Sequence, residues 1–195
     1  MLQRIKGFKM NIKNSIINLA KSFKLNDQNM GVIDYTDYDN NVKSAVSLKG
    51  ELDFFYHHLT LKDKPTLDGV FFMHFIEPSE LKRVLSGWNT DDNTWNEMYV
   101  IFAERNGDVL FCDTTHDACA VYGSIQKRNF IIADSLSSFL NALNSAIDIE
   151  RDKYNGEVFD DDFNVESTFI DDVKNMLAKN LDEKEVEGFM RFFFS

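Results

Sequence analysis

The sequence has little of what multidomain, secreted or membrane-spanning proteins need. Only two of its 195 residues are proline and nine are glycine, so no linker between domains is indicated. Two cysteines cannot form the disulfide framework of a small secreted protein. No apolar run approaches the roughly 20 residues of a membrane-spanning helix, and polar residues interrupt every candidate signal segment. These absences predict a single-domain, cytoplasmic protein with no membrane span.

The charge on the chain is strongly negative and unevenly distributed. The formal net charge is −11 and the pI is about 4.7. Such a surface repels nucleic-acid phosphates but attracts a basic protein partner, although an acidic surface also serves solubility alone. Residues 1–26 are the exception, because they contain six basic residues and no acidic one. This segment is expected to dock on the acidic body; contact with an anionic membrane and a frayed terminus are the alternatives.

Hydrophobic spacing predicts three helices and one strand in the first half of the chain. The helices are expected at residues 10–25, 43–60 and 78–86, the strand at 70–76, and loops at 26–41 and 88–97. The strand segment VFFMHFI is apolar throughout, which is typical of a strand buried on both faces. Pro78 suits the first turn of the third helix and Gly87 its end.

The second half of the chain predicts a β-meander followed by helices. Two strand patterns, 98–105 and 108–113, flank Asn106-Gly107, a pair that favours a type I′ turn because both central residues need positive φ. The remaining expected elements are strands at 119–125 and 129–133, helices at 135–147 and 168–180, and a last helix with the apolar stripe Val186, Phe189, Met190 and Phe193. Their expected caps are Asp134 or Ser135, Ser167, and a capping box of Asp182 with Glu185.

The meander and the helix after it carry a set of short motifs in a recognisable order. The motifs are Gly107-Asp108 at a hairpin, Asp113 after the second strand, Val121-Tyr122 on the third strand, and Ile132-Ala133 with Ser135, Phe139 and Leu140 entering a helix. In these features residues 50–147 resemble the SUKH superfamily, which includes fungal cell-wall-synthesis regulators and many bacterial toxin-immunity proteins. The Leu-Pro that the family usually has before an early helix is absent, and both terminal helices lie outside the match.

The resemblance implies an α+β fold in which an antiparallel β-meander sheet is flanked by helices, here with extra N- and C-terminal helices. It divides the chain into a basic helix and loop (1–42), a SUKH-like core (43–147), and an acidic linker with helices that pack on the core (148–195). Members of this kind bind proteins, and in bacteria they commonly neutralise a toxin. The acidic charge suits a basic toxin domain such as a nuclease. A regulatory or scaffold protein of the same fold is the alternative.

One cluster of sulfur and nitrogen ligands is the main candidate for chemistry. Cys112, His116 and Cys119 could hold zinc in a small hydrolase if His57, His58 or His74 supplied a fourth ligand. The spacing matches no closed zinc motif, and Cys112 lies inside a strand pattern, where cysteines are usually inert. No metal, cofactor or catalytic residue is therefore predicted.

A second group of residues is the candidate for partner binding. It consists of Trp88, Asp91, Asp92 and Trp95 in one polar loop, together with Asp113 and Asp117 around the later turn. Aromatic residues beside acidic ones are typical of interface hot spots. Trp88 is equally suited to closing the end of the core. Trp95 is the one expected to be exposed.

Overall fold

One seven-stranded antiparallel sheet organises the fold, and each strand pairs with its neighbours in sequence. The computed structural model describes residues 2–88 and 95–195, with side chains described from residue 11 onward. The strands are β1 (Met30–Tyr35), β2 (Leu59–Leu67), β3 (Met73–Phe75), β4 (Tyr99–Arg105), β5 (Asp108–Asp113), β6 (Ala120–Ile125) and β7 (Arg128–Ala133). The α+β class with an antiparallel meander is confirmed.

Six α-helices among the described residues accompany the sheet. They are α1 (Leu2–Lys24), α2 (Gly50–His58), α3 (Leu81–Trp88), α4 (Leu136–Asp148), α5 (Ser167–Leu177) and α6 (Glu183–Phe194), and a π-helical segment, Ile149–Lys153, continues α4. The basic helix α1 packs against α2, α4 and β1, and its Lys13 forms a 2.8 Å salt bridge with Asp37. The expected docking of the basic segment on the body is therefore confirmed. None of the helices among the described residues is long and apolar enough to cross a membrane.

The strand register separates two faces of the sheet, because residues directly opposite each other point to the same side. On the first, which we call the covered face, lie the rows Ala103–Leu110–Gly123 and Val100–Cys112–Val121–Ala133, all of them buried. Helices lie against this face: the Phe55 ring of α2 is 6.1 Å from Phe75, and the guanidinium carbon of Arg191 on α6 is 4.5 Å from the Phe130 ring centroid. This side holds the main core.

The second face, which we call the mixed face, combines apolar and polar residues. One of its rows is Ile101–Phe111–Tyr122–Ile131, and another is Thr66–His74–Glu104–Val109–Ser124–Asn129. Ile101, Phe111 and Val109 are buried, whereas Tyr122 and Ile131 are only half-buried. Antiparallel sheets often keep one face in the core and leave the other partly solvated.

The first half of the chain departs from the sequence-based expectations. The expected loop at 26–41 contains β1, where a bulge at Gly31 (φ 77°) lies against the backbone of β2 and obscures the strand alternation. The expected helix at 43–60 begins only at Gly50 and ends at His58. Its first turn is positioned by a tertiary hydrogen bond, from the Glu51 N–H to the Asp117 carbonyl oxygen at 2.8 Å, and Leu59 already pairs with β1.

The strand expected at 70–76 is also shorter than the apolar run. Phe72 N–H donates to the Gly69 carbonyl oxygen, so residues 69–72 form a turn and only Met73–Phe75 join the sheet. His74 lies half-buried on the mixed face, so burial on both faces was wrong. Gly87 does not end α3, which runs from Leu81 to Trp88.

Local signals in the second half agree with the structure. Asn106 (φ 51°) and Gly107 (φ 89°) connect β4 to β5, as a type I′ turn requires. The Ser135 hydroxyl accepts the Ser138 N–H at the start of α4. Asp182 and Glu185 form the expected capping box, but Ser167 does not cap α5, whose N-cap is Glu166 without a side-chain bond.

Candidate functional site

Four aromatic side chains form a continuous group on the mixed face. The Trp95 ring meets Tyr99 at 5.5 Å and Phe111 at 5.0 Å between centroids. Phe111 stacks on Tyr122 at 5.4 Å with an interplanar angle of 10°. The strands set this arrangement, because Phe111 and Tyr122 are directly opposite each other on β5 and β6 and Tyr99 is diagonal to Phe111 on β4. We call Trp95, Tyr99, Phe111 and Tyr122 the aromatic row.

The aromatic row is partly accessible to solvent. Phe111 is buried beneath the other rings, whereas Trp95, Tyr99 and Tyr122 are half-buried, as is Ile131 on the next strand. Rings that stand on a rigid sheet lose little conformational freedom when a partner covers them, and such residues dominate binding energy at interfaces. The row therefore offers a preorganised apolar contact area.

An acidic residue borders the aromatic row. Asp113 stands opposite Tyr99 in the register, and its carboxylate accepts the Thr115 N–H at 2.9 Å. Partial burial raises the pKa of Tyr122, and the nearby negative charge of Asp113 raises it further. The carboxylate of Asp113 is half-buried and close to the rings, so it can pair with a cation that approaches them.

The six residues expected to bind a partner occupy different surroundings. Trp95 is half-buried against the sheet and not fully exposed, because Tyr99 and Phe111 supply apolar contacts; its Nε1 has no hydrogen-bond partner among the described residues. Trp88 is half-buried at the end of α3 and packs against the core. Asp91 and Asp92 lie outside the described residues.

The structure places the other two predicted acidic residues, Asp113 and Asp117, in different surroundings. Asp113 joins the aromatic row, whereas Asp117 is exposed in the β5–β6 connection, and its backbone carbonyl supports the start of α2. The sequence reasoning missed Tyr99 and Tyr122 as site residues. Their signal was present as aromatic residues within strands, but the bulge at Phe102 shifts the β4–β5 register by one residue and conceals that Tyr99 shares a face with Phe111.

A polar groove occupies another part of the mixed face, next to α3. It has a volume of about 670 Å³, and His74 and Glu104 form an ion pair in it, with 3.2 Å between Nε2 and Oε2. The hydrogen bond from His74 holds the pKa of Glu104 below its ordinary value. Arg83 forms a salt bridge with Glu80, and the Lys64 backbone N–H donates to the Glu77 carboxylate at 3.0 Å. Most of the charged side chains of the groove bond within the molecule, so we assign the groove no ligand.

The cysteine and histidine cluster does not assemble into a site. Cys112 and Cys119 are fully buried, whereas His116 is exposed. The Cys119 Sγ lies 3.3 Å from the Lys49 carbonyl oxygen, and burial raises the pKa of that thiol to about 11. A thiol with this pKa stays protonated at neutral pH, whereas a nucleophilic cysteine must be a thiolate. The described residues contain no group of three or more His, Cys, Asp or Glu that could hold a metal ion.

The buried carboxyl group of Glu51 joins two helices of the covered face. Its oxygens accept the Ser137 backbone N–H at 2.6 Å and the Ser137 hydroxyl at 2.8 Å. Burial raises the pKa of Glu51 to about 7, although both bonds from Ser137 oppose that change. The side chain is buried between α2 and α4, out of reach of any substrate, so we assign it a structural role.

Comparisons with known proteins identify no relative. No family model matches the chain, and searches among curated proteins and among solved structures also return no match.

Proposed function

We propose that this chain is a non-catalytic protein-binding module that neutralises a basic toxin domain, in the manner of the immunity proteins of the SUKH superfamily. The observation that carries the proposal is the aromatic row beside Asp113 on the mixed face. Its half-exposed rings supply apolar contact, and its acidic border supplies attraction for a cationic surface.

The charge of the whole molecule supports the same partner class. A net charge of −11 steers a basic domain toward the surface over the screening length of physiological salt, about 8 Å. A nuclease toxin needs a basic surface to bind phosphates, and covering that surface would block its substrate. Inhibition of this kind requires only that the chain bind the basic domain tightly, because no reaction has to be catalysed.

Two other functions are the alternatives. A regulatory or scaffold protein of the same fold would use the same surface without inactivating its partner. A small metal-dependent hydrolase using Cys112, His116 and Cys119 is disfavoured by the two buried thiols.

Affinity capture followed by an activity assay tests the proposal. The full chain is used to capture partners from its host, and the captured protein is then assayed for nuclease or other toxic activity with and without the chain. The proposal expects a basic partner whose activity is lost on binding. Capture of a partner that retains full activity would favour the scaffold alternative, and an acidic partner would contradict the proposed electrostatics.

Variants of the aromatic row locate the interface. Replacing Tyr122 with Ala should weaken capture about tenfold or more, mainly through faster dissociation, because the ring stops filling the partner's surface. Replacing Asp113 with Asn should mainly slow association and flatten its salt dependence. Tyr38→Ala is the matched control, since Tyr38 is 83% exposed and lies outside the row. Equal binding by the Tyr122 and Tyr38 variants would place the interface elsewhere.

A further inference from the structure

Exposed phenylalanines surround a cleft away from the aromatic row. The cleft has a volume of about 390 Å³ and is lined by Gly69, Val70, Phe72, Arg105, Asn106, Phe159, Val165 and Phe193. Phe72 is 37% exposed and Phe159 is 47% exposed. Phe163, in the same loop as Phe159, is 87% exposed. Phenylalanine is usually buried, and a group of exposed apolar side chains marks an interaction surface.

The loop that carries two of these rings, residues 157–166, is held by its own hydrogen bonds. Phe159 forms a β-bridge with Val165, and the Asp160 N–H donates to the Asn164 carbonyl oxygen at 2.9 Å. The Asp160 carboxylate accepts the Asn164 N–H at 2.8 Å. Buried Val158 anchors the loop to the core, and the far end of the loop presents the Phe163 ring to solvent.

Folding does not account for phenylalanine at position 163. A side chain that is 87% exposed contributes little burial, and its φ of 62° is a conformation that disfavours a bulky residue. Asn or Gly would suit this backbone better. The Phe163 ring is therefore available for contact with another molecule.

The charges around the cleft define the chemistry of that molecule. Residues 157–166 contain five acidic residues and no basic one. The one cation that lines the cleft, Arg105, already donates to the carbonyl oxygens of Val70, Phe72 and Phe193 at 2.8–3.1 Å. An incoming segment therefore meets apolar walls, a guanidinium directed at backbone oxygens, and the acidic 157–166 loop beside the cleft. This combination favours apolar side chains alternating with Lys or Arg that face the loop.

We propose that this cleft and the 157–166 loop form a docking site for a basic, amphipathic segment of a protein partner. An apolar side chain of the segment enters the cleft between Phe72 and Phe159, its cations face Asp161 and Asp162, and Phe163 covers it. The site lies at the Arg105 end of β4, and the aromatic row lies at the Tyr99 end, about 20 Å away along a seven-residue strand. The two surfaces can therefore be tested independently.

The test uses blocked eight-residue peptides and the ¹⁵N-labelled full chain. An alternating Leu-Lys peptide is expected to shift the amide resonances of residues 157–166 and of Phe72, with an affinity that falls as salt rises. Alternating Leu-Glu and Ser-Lys peptides test the need for positive charge and for apolar side chains, and each should bind at least about tenfold more weakly. Equal binding of all three, or shifts confined to the aromatic row, would overturn the proposal.

Variants on the exposed rim separate binding from folding. Phe163→Ser should weaken Leu-Lys binding about tenfold while leaving the melting temperature unchanged or raised. Tyr38→Ser, at a position that is 83% exposed and lies outside the cleft and the 157–166 loop, should bind like the parent chain. Asp161→Asn with Asp162→Asn should remove much of the salt dependence, with Asp160 kept because it orders the loop. Unchanged binding by the Phe163 variant would refute the docking site, and the aromatic-row proposal would stand untouched.

Discussion

The two faces of the sheet share the same strands but use their side chains differently. On the covered face, the row Ala103–Leu110–Gly123 is buried beneath helices, and every side chain there finds its contacts within the molecule. On the mixed face, the row that contains Phe111 ends in half-buried Tyr122 and Ile131. The difference indicates that one face stabilises the fold while the other keeps apolar surface available for a partner.

Truncating one aliphatic residue on each face should include the largest single loss of stability. Leu110→Ala on the covered face leaves a cavity and should lower the free energy of unfolding by about 3–4 kcal/mol. Ile131→Ala on the mixed face should cost about 1 kcal/mol, because part of that side chain is already in water. Urea denaturation of both variants measures this. Equal losses would mean that the two faces contribute equally to stability.

A second contrast is between two helical glycines, Gly188 at the contact of α6 with β7 and Gly87 in α3. A Cβ at Gly188 would collide with the Ile131 carbonyl oxygen, which is backbone and cannot move aside. Gly188→Ala should therefore cost about 3 kcal/mol, the upper range for overpacking. Gly87→Ala in α3 meets no atom within 4 Å and should be neutral or stabilising by up to about 1 kcal/mol. The prediction fails if thermal unfolding shows the two variants to be equally stable.

Two glutamates, one in each setting, should respond to pH in opposite directions. The pKa of Glu51 is raised to about 7 from 4.5, so its contribution to stability is complete below pH 4.5 and is lost as the pH rises through 7. Glu51→Gln should gain stability relative to the parent chain across that window, by on the order of 3 kcal/mol. Denaturation at pH 4.5, 6 and 7.5 measures the difference.

The matched variant on the mixed face is Glu104→Gln. His74 lowers the pKa of Glu104, so this carboxylate contributes stability above about pH 4.5 and loses it as the pH falls. Its variant should therefore lose stability relative to the parent at neutral pH and match it in acid. For the Glu51 prediction, the contradicting result would be stability curves of the Glu51 variant and the parent that run parallel as the pH changes. Such curves would show that Glu51 has the same pKa in the folded and unfolded states.

The smallest difference in stability between paired variants is expected at the β4–β5 turn, which lies at the end of the two strands. Gly107→Val should destabilise by about 2 kcal/mol, because a β-branched residue is strained at a φ of 89°. Gly107→Asn should cost much less, since Asn tolerates this conformation and no atom lies within 4 Å. Differential scanning calorimetry separates the two. A Val variant as stable as the Asn variant would argue against conformational strain at the turn.

Turn and helix-capping motifs gave the most reliable predictions from the sequence. Asn106-Gly107, Ser135 and the Asp182–Glu185 pair each act through nearby backbone, so their geometry follows from a few neighbouring residues. Errors arose where a distant contact overrides the local pattern. Gly31 bends β1 against β2, and the Asp117 carbonyl positions the start of α2, and neither contact is visible in the intervening residues.

The sequence by itself determined the α+β class, the β-meander and the excess of negative charge. Hydrophobic periodicity and turn residues depend only on neighbouring residues, and net charge is a total over the chain. Tertiary structure alone decided which residues share a face. The bulge at Phe102 in β4 changes the register by one residue, and a shift of one residue transfers a side chain to the opposite side of a sheet. For this reason Tyr99 lies on the same face as Phe111, where Trp95 packs against both rings.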